Sequence, residues 1–179
     1  MHAATLQRLK AAIIASMVLG LTACASPVSR DAITVKLEGL KTNPYSVSVA
    51  TQGGTETSAM TGTHLSDQEL KAAIEASIAK SELFQSVVQG KDGDYLLTVT
   101  VTRMDRPMFG LDLTVEMEAG WALSKVSDKS VVMRKVIKSS FTATFSDAFA
   151  AVTRLRLAVE GVTRKNIEEG LKAVNEASL

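Results

Sequence analysis

The strongest pattern in the sequence is the alternation of apolar and polar side chains over residues 111–123. The apolar positions are Leu111, Leu113, Val115, Met117, Ala119, Trp121 and Leu123. Successive side chains of a strand point to opposite faces of a sheet, so this pattern predicts one face on a core and one in water. Half-buried strands of this kind are typical of antiparallel sheets. Trp121, the single tryptophan, is predicted to lie in the core.

The same alternation predicts further strands on both sides of this segment. They are expected at residues 33–37, 45–49, 84–88, 95–101 and 131–145, with Phe141, Ala143 and Phe145 on one face of the last. Residues 51–63 are polar, contain Gly53 and Gly54, and are predicted to form a loop.

Two helices complete the predicted domain. Ser66 and Glu69 have the spacing of a capping box, which predicts a helix from there to about residue 80. A second helix is expected at about residues 147–176, with Val152 on its apolar stripe and small residues, Gly161 among them, that let it lie close to the sheet. Gly161 and Gly170 lower helix propensity and are interpreted as bends. The fold class is therefore α+β: an antiparallel sheet of about five to six strands, with two helices packed on one face.

The charged side chains of this last helix need an interpretation too. Arg154, Arg156, Arg164 and Lys165 are interpreted as a charged outer face, which is the usual role of such residues on a surface helix. Arg164 and Asn166 have an alternative role, in which they hydrogen-bond the ends of strands.

The N-terminal residues have the layout of an export signal. Arg8 and Lys10 precede an apolar run over residues 11–21, and the small residues Thr22 and Ala23 follow it. The run is shorter than the roughly 20 apolar residues that span a bilayer. Residues 1–23 are therefore predicted to be a cleaved signal peptide. Residues 24–31 are expected to be a tether, and residues 32–179 a single α+β domain.

Residues 21–24, with the sequence LTAC, match the lipobox that the lipoprotein signal peptidase recognises. The resemblance implies that the thiol of Cys24 is diacylated, that the signal is cut before it, and that the new amino terminus is acylated. Ala25 stands where an aspartate favours retention in the inner membrane, so the outer membrane is expected, with the domain facing the periplasm. The alternative is an ordinary secreted protein with a chance cysteine at its cleavage site. Cys24 is the only cysteine, so no intrachain disulfide can form.

Charge and chemistry exclude several classes of function. Two of the 20 basic residues lie in the signal, which leaves 18 against 19 acidic residues, so the net charge gives no attractive field for nucleic acid. His64 is the one histidine after the signal, so no histidine-rich metal site is expected, and no cofactor. No G-x-S-x-G elbow occurs to partner His64. Glu116 and Glu118 share the polar face of one strand and are interpreted as solvated rather than as a catalytic pair.

The segment most suited to binding is the loop at residues 104–110. Arg106, Pro107, Met108 and Phe109 place an apolar pair beside a cation. Exposed apolar residues at a loop tip contact lipid or a partner. The alternative, and the commoner outcome for such a pair, is a loop folded back over the end of the sheet.

Three segments of the chain resemble a family. TQGGTET at 51–57, DYLLTVTVTRMDRPMFGLDLTV at 94–115 and RLRLAVEGVTRKNIEEGL at 154–171 are similar to an uncharacterised family of proteobacterial outer-envelope lipoproteins. Some members are named acyltransferases, but the hexapeptide repeats of the UDP-N-acetylglucosamine acyltransferases do not occur here. In architecture the pattern is similar to transport-accessory lipoproteins, such as those of lipopolysaccharide assembly and of ABC-type lipid transporters.

Together these observations favour a non-enzymatic lipoprotein. It is expected to be anchored to the membrane by acyl chains on Cys24 and to bind an envelope protein or a lipid. The alternative is a periplasmic hydrolase or transferase that uses His64 as a base.

Overall fold

The computed structural model describes residues 28–54, 64–107 and 109–179. The predicted signal peptide, Cys24, most of the predicted loop at 51–63, and Met108 lie outside the described residues.

In the part of the domain that the structure describes, a five-stranded sheet is combined with three helices, which confirms the α+β class. The strands are β1 (Asn43–Gln52), β2 (Phe84–Val87), β3 (Tyr95–Asp105), β4 (Leu113–Lys125) and β5 (Val131–Ala143); the helices are α1 (Arg30–Ile33), α2 (Asp67–Lys80) and α3 (Ala151–Asn175). The sheet order is β2-β1-β3-β4-β5. The core lies between the sheet and the helices, and Trp121 is fully buried in it, as predicted.

The sheet is mixed, not purely antiparallel as expected. β3, β4 and β5 pair antiparallel, whereas β1 pairs parallel with both β2 and β3. The reason for the first parallel pair is the connection: α2 lies between β1 and β2, and a helical crossover returns the chain in its starting direction.

The strand predicted at residues 33–37 is wrong. Residues 30–33 form α1, and the chain then runs extended over α2 instead of joining the sheet. The N–H groups of Val35 and Leu37 donate to Ser77 Oγ at 3.0 Å and to Ser81 Oγ at 2.9 Å. Alternation is satisfied here because one side of an extended segment packs on helices, which the pattern cannot distinguish from a sheet.

The segment 28–42 also runs along α3. Val28 is 3% exposed, and the Ser29 N–H donates to Glu160 Oε1 at 3.1 Å. Further on, Arg164 Nη1 donates to the Ala32 carbonyl, and the Lys41 N–H donates to Asn175 Oδ1 at 2.8 Å. The segment therefore follows α3 from its middle to its C-terminus.

Helix α2 begins where the capping box predicts. Ser66 is the N-cap, and its Oγ accepts a hydrogen bond from the Glu69 N–H at 3.1 Å. Leu65 and Leu70, on either side of the cap, are each 1% exposed.

Replacing Ser66 with alanine is expected to lower the free energy of unfolding by about 1 kcal/mol, the usual cost of an N-cap. Urea denaturation would measure it, with Ser86→Ala at an exposed serine of β2 as the matched control. An unfolding midpoint that moves no further for Ser66→Ala than for this control would show that the cap does not stabilise α2.

Helix α3 is fitted closely to the sheet. A Cβ atom at Gly161 would lie 2.4 Å from the Phe141 ring, and one at Gly170 would lie 2.3 Å from the Trp121 ring. The prediction that small residues bring this helix close to the sheet is therefore confirmed. Close packing on Trp121 also accounts for Gly170, which the sequence suggested as a bend.

Candidate functional site

The topology brings two loops, distant in sequence, to one end of the sheet. β3 ends and β4 begins around the loop 106–112, while β5 ends and α3 begins around the loop 144–150. Because Leu113 pairs with Ala143, the two loops leave the sheet side by side. The Phe145 N–H donates to Asp112 Oδ1 at 2.9 Å and joins them.

Among the described residues at this end, five large apolar side chains are exposed. They are Phe109 (88% exposed), Phe149 (86%), Leu111 (73%), Val152 (48%) and Phe145 (46%). We call these five residues the apolar end. Single exposed apolar side chains are ordinary, but a group of them, three of them aromatic, is characteristic of a contact surface.

The loop 144–150 is held by a buried arginine. Arg154 is 4% exposed, and its Nη1 donates to the carbonyls of Ala148 and Phe149, each at 2.7 Å. Its guanidinium lies 5.2 Å from the centre of the Phe145 ring, and that ring packs edge-on against Phe149. Arg154 is thus not on a charged outer face, as its position in the helix suggested. It fixes the backbone that presents Phe149.

Asp147 stabilises the turn before α3. Its Oδ2 accepts from the N–H of Thr144 at 2.7 Å and from the hydroxyl of Thr144 at 2.8 Å. These two hydrogen bonds lower the pKa of Asp147 below its ordinary value. They also explain why α3 begins at Ala151 and not at the predicted residue 147: residues 144–147 are tied in a turn.

The structure places Arg106 and Phe109 of the predicted binding loop in different environments. Phe109 is exposed and does not fold back over the sheet. Arg106 is half-buried, with Nη2 donating to Met104 Sδ at 3.2 Å, and burial lowers its pKa. With Gly53 and Gly54 it lines a cavity of about 280 Å³ between the ends of β1 and β3. A half-buried guanidinium is suited to a phosphate or a carboxylate.

The sequence missed most of the apolar end. It placed Leu111 on the core-facing side of a strand, Phe145 on the same strand face as Ala143, and Val152 on the apolar stripe of the last helix. All three are exposed. Strand β4 begins at Leu113 and β5 ends at Ala143, so the alternation continues past the paired residues at both ends. Turn-forming residues could have marked two of these positions: Gly110 precedes Leu111, and Ser146 and Asp147 follow Phe145.

The candidate catalytic residues do not form a recognisable centre. His64 is half-buried just before the cap of α2. Glu116 is exposed on the open face of the sheet, and Glu118 Oε2 lies 3.2 Å from Lys138 Nζ in an ion pair. Within residues 28–54, 64–107 and 109–179, no group of three or more histidine, cysteine or acidic side chains is placed to hold a metal.

The last helix contributes structural polar contacts. Asn166 is 1% exposed, accepts from Trp121 Nε1 at 3.0 Å, and donates to the Ile137 carbonyl and to Ser139 Oγ, each at 3.2 Å. It therefore bonds the middle of β5 rather than the end of a strand.

Across the described parts of the chain, no helix is both long enough and apolar enough to cross a membrane.

Comparison with known proteins identifies a fold but no family. No family model and no curated protein matches the sequence. The fold is similar to that of a DUF330 protein from Xanthomonas campestris, with a TM-score of 0.61, 13% identity, and coverage of 79% of this chain and 91% of that one. A hypothetical protein from Chlamydia trachomatis gives a TM-score of 0.55 at 9% identity, covering 74% of this chain and 96% of that one. A single-residue variant of the PelC dodecamer from Paraburkholderia phytofirmans gives a TM-score of 0.51 at 15% identity, covering 79% of this chain and 93% of that one.

Proposed function

We propose that the protein is a lipoprotein of the bacterial outer membrane, anchored by acyl chains on Cys24, that works by binding and not by catalysis. Its domain faces the periplasm and serves as an accessory component of the envelope. The observation that carries the binding role is the apolar end, where Phe109 and Phe149 are presented to solvent on two loops joined by a hydrogen bond.

The arrangement of the two loops supports a contact surface. Buried apolar anchors provide most of the affinity of an interface, and aromatic residues are enriched among them. Arg154 holds the loop that carries Phe149, and Asp112 holds the start of that loop. A surface fixed in this way loses little conformational entropy when it binds. Arg106, in the loop that carries Phe109, is suited to an anionic group of the partner.

The competing function is a periplasmic hydrolase or transferase, for which His64 is the expected base. A general base at neutral pH needs a pKa near 7, which histidine has without perturbation. A binding protein has no such requirement. The two functions therefore predict opposite results for the same pair of variants.

The double change Met108→Ser, Phe109→Ser is expected to lower the yield of cross-linked partner, protein or lipid, by about tenfold or more, because it removes interface anchors. His64→Ala is expected to retain the wild-type yield. The measurement is partner recovered from intact envelopes after cross-linking, with circular dichroism to verify folding.

The matched control for the loop variant is Val131→Ser, Val136→Ser, which changes two exposed apolar residues of β5 outside the apolar end. It should leave the yield unchanged. A His64→Ala variant that folds but loses the cross-linked partner, while the loop variant keeps it, would support the hydrolase or transferase function instead. An equal effect of the two serine pairs would remove the loop from the binding surface.

A further inference from the structure

The position of Val28 limits how far the proposed anchor can be from the domain. Val28 is the fourth residue after Cys24, so their Cα atoms lie within about 14 Å of each other even in a fully extended chain. Val28 itself is buried, and the next residue, Ser29, is hydrogen-bonded to Glu160 in α3. The anchor point is therefore tied to the middle of this helix.

The same distance decides which end of the domain the anchor can reach. Glu160 is nine residues from the start of α3 at Ala151, or about 14 Å at 1.5 Å per residue. It is fifteen residues from the end at Asn175, or about 22 Å. The anchor can thus come level with the apolar end, but it falls short of the opposite end.

The course of segment 28–42 agrees with this direction. Its contacts with α3 move from Glu160 at Ser29 to Asn175 at Lys41. Followed backward from Lys41 to Ser29, the chain therefore approaches the N-terminal end of α3, where Val152 lies and which Phe149 precedes. At the opposite end the exposed large apolar side chains are Tyr45 (36% exposed), Val126 (37%) and Val131 (49%), and none is as exposed as Phe109 or Phe149.

We propose that the occupant of the apolar end is the bilayer leaflet that holds the anchor. Phe109 and Phe149 enter the interface between headgroups and acyl chains, and the domain has a fixed orientation with its opposite end away from the membrane. Aromatic side chains favour this interfacial region. The inference rests on the proposed lipidation of Cys24, because acyl chains keep the leaflet within reach of these side chains.

The lone cysteine allows a direct test on the full-length protein. An acylated Cys24 has no free thiol, so Phe149→Cys introduces the only one, and an environment-sensitive NBD fluorophore can be attached there. The labelled lipoprotein is reconstituted into vesicles of phosphatidylethanolamine and phosphatidylglycerol, with or without a nitroxide on the lipid. Val131→Cys, at the opposite end, is the matched control.

The label at position 149 is expected to shift to the blue and to lose most of its fluorescence to the lipid nitroxide. The label at position 131 should keep its fluorescence and should be quenched by aqueous iodide instead. Equal behaviour of the two labels would overturn the orientation while leaving the lipoprotein function intact. Efficient bis-maleimide cross-linking of position 149 between copies, with no lipid quenching, would assign the apolar end to a second copy and would also overturn the inference.

Thiol counting before reconstitution separates this inference from the function on which it rests. One label per chain in Phe149→Cys, and none in the unchanged protein, means that Cys24 is blocked. Two labels in the variant would mean a free Cys24 and would overturn the proposed anchoring and the bilayer inference together.

Discussion

Replacing Cys24 with serine is expected to abolish fatty-acid incorporation completely. The lipobox resemblance implies a thioether to a diacylglyceryl group, and a serine hydroxyl is not ionised at neutral pH and cannot replace the thiolate. Each buried CH₂ contributes roughly 0.8 kcal/mol to membrane binding, so a protein with two or three chains is held in effect permanently.

Growth with an alkyne fatty acid, followed by conjugation to a fluorophore and electrophoresis, would measure this incorporation. Ser26→Ala, two residues further along, is the matched control and should be labelled like the wild type. Label on Cys24→Ser equal to that on the wild type would mean that the acyl group is elsewhere, and the lipobox assignment would then be wrong.

The second large effect is expected from Trp121→Ala, which should lower the free energy of unfolding by about 3–5 kcal/mol. Trp121 is fully buried, and α3 has a glycine at position 170 where it crosses the indole ring. Removing the ring leaves a cavity and takes the indole N–H away from Asn166. The free energy of unfolding of a domain is about 5–15 kcal/mol in total, so this variant would lose a large part of its stability.

Chemical denaturation of the purified protein would test this. Val131→Ala, at a half-exposed position of β5, should change the free energy by less than about 0.5 kcal/mol. Asn166→Ala should have an intermediate effect, about 1–3 kcal/mol, because it leaves the buried indole N–H without its acceptor. If Trp121→Ala unfolds at the same denaturant concentration as the Val131 control, the ring does not hold α3 to the sheet.

The sequence was most informative where the determinants are local. The capping box at Ser66 predicts the start of α2 because both partners lie within one turn, and the alternation over residues 113–123 reports directly which side of β4 is buried. It failed where two environments produce the same pattern. Residues 33–37 alternate because they pack on helices, and the parallel pairing of β1 depends on tertiary connections that no local pattern encodes.

The candidate site shows the same division. Phe109 could be recognised from the sequence as an apolar residue in a turn, whereas Phe145 and Val152 continue the periodicity of a strand and a helix. Their exposure follows from where β5 ends and α3 begins, which Asp147 and Arg154 determine through hydrogen bonds to the intervening loop. The apolar end forms because β4 and β5 pair and bring the loops 106–112 and 144–150 together. The two loops are far apart in sequence, so the sequence alone could not show that they are neighbours.

The central claim, a lipid-anchored envelope protein, is tested most directly by the mass of the amino-terminal peptide of the protein purified from membranes. The account predicts a mature chain that begins at Cys24 and carries a diacylglyceryl group on sulfur, with a further acyl chain on the α-amino group. An unmodified peptide that begins at Cys24, or a chain cleaved at another residue, would contradict it.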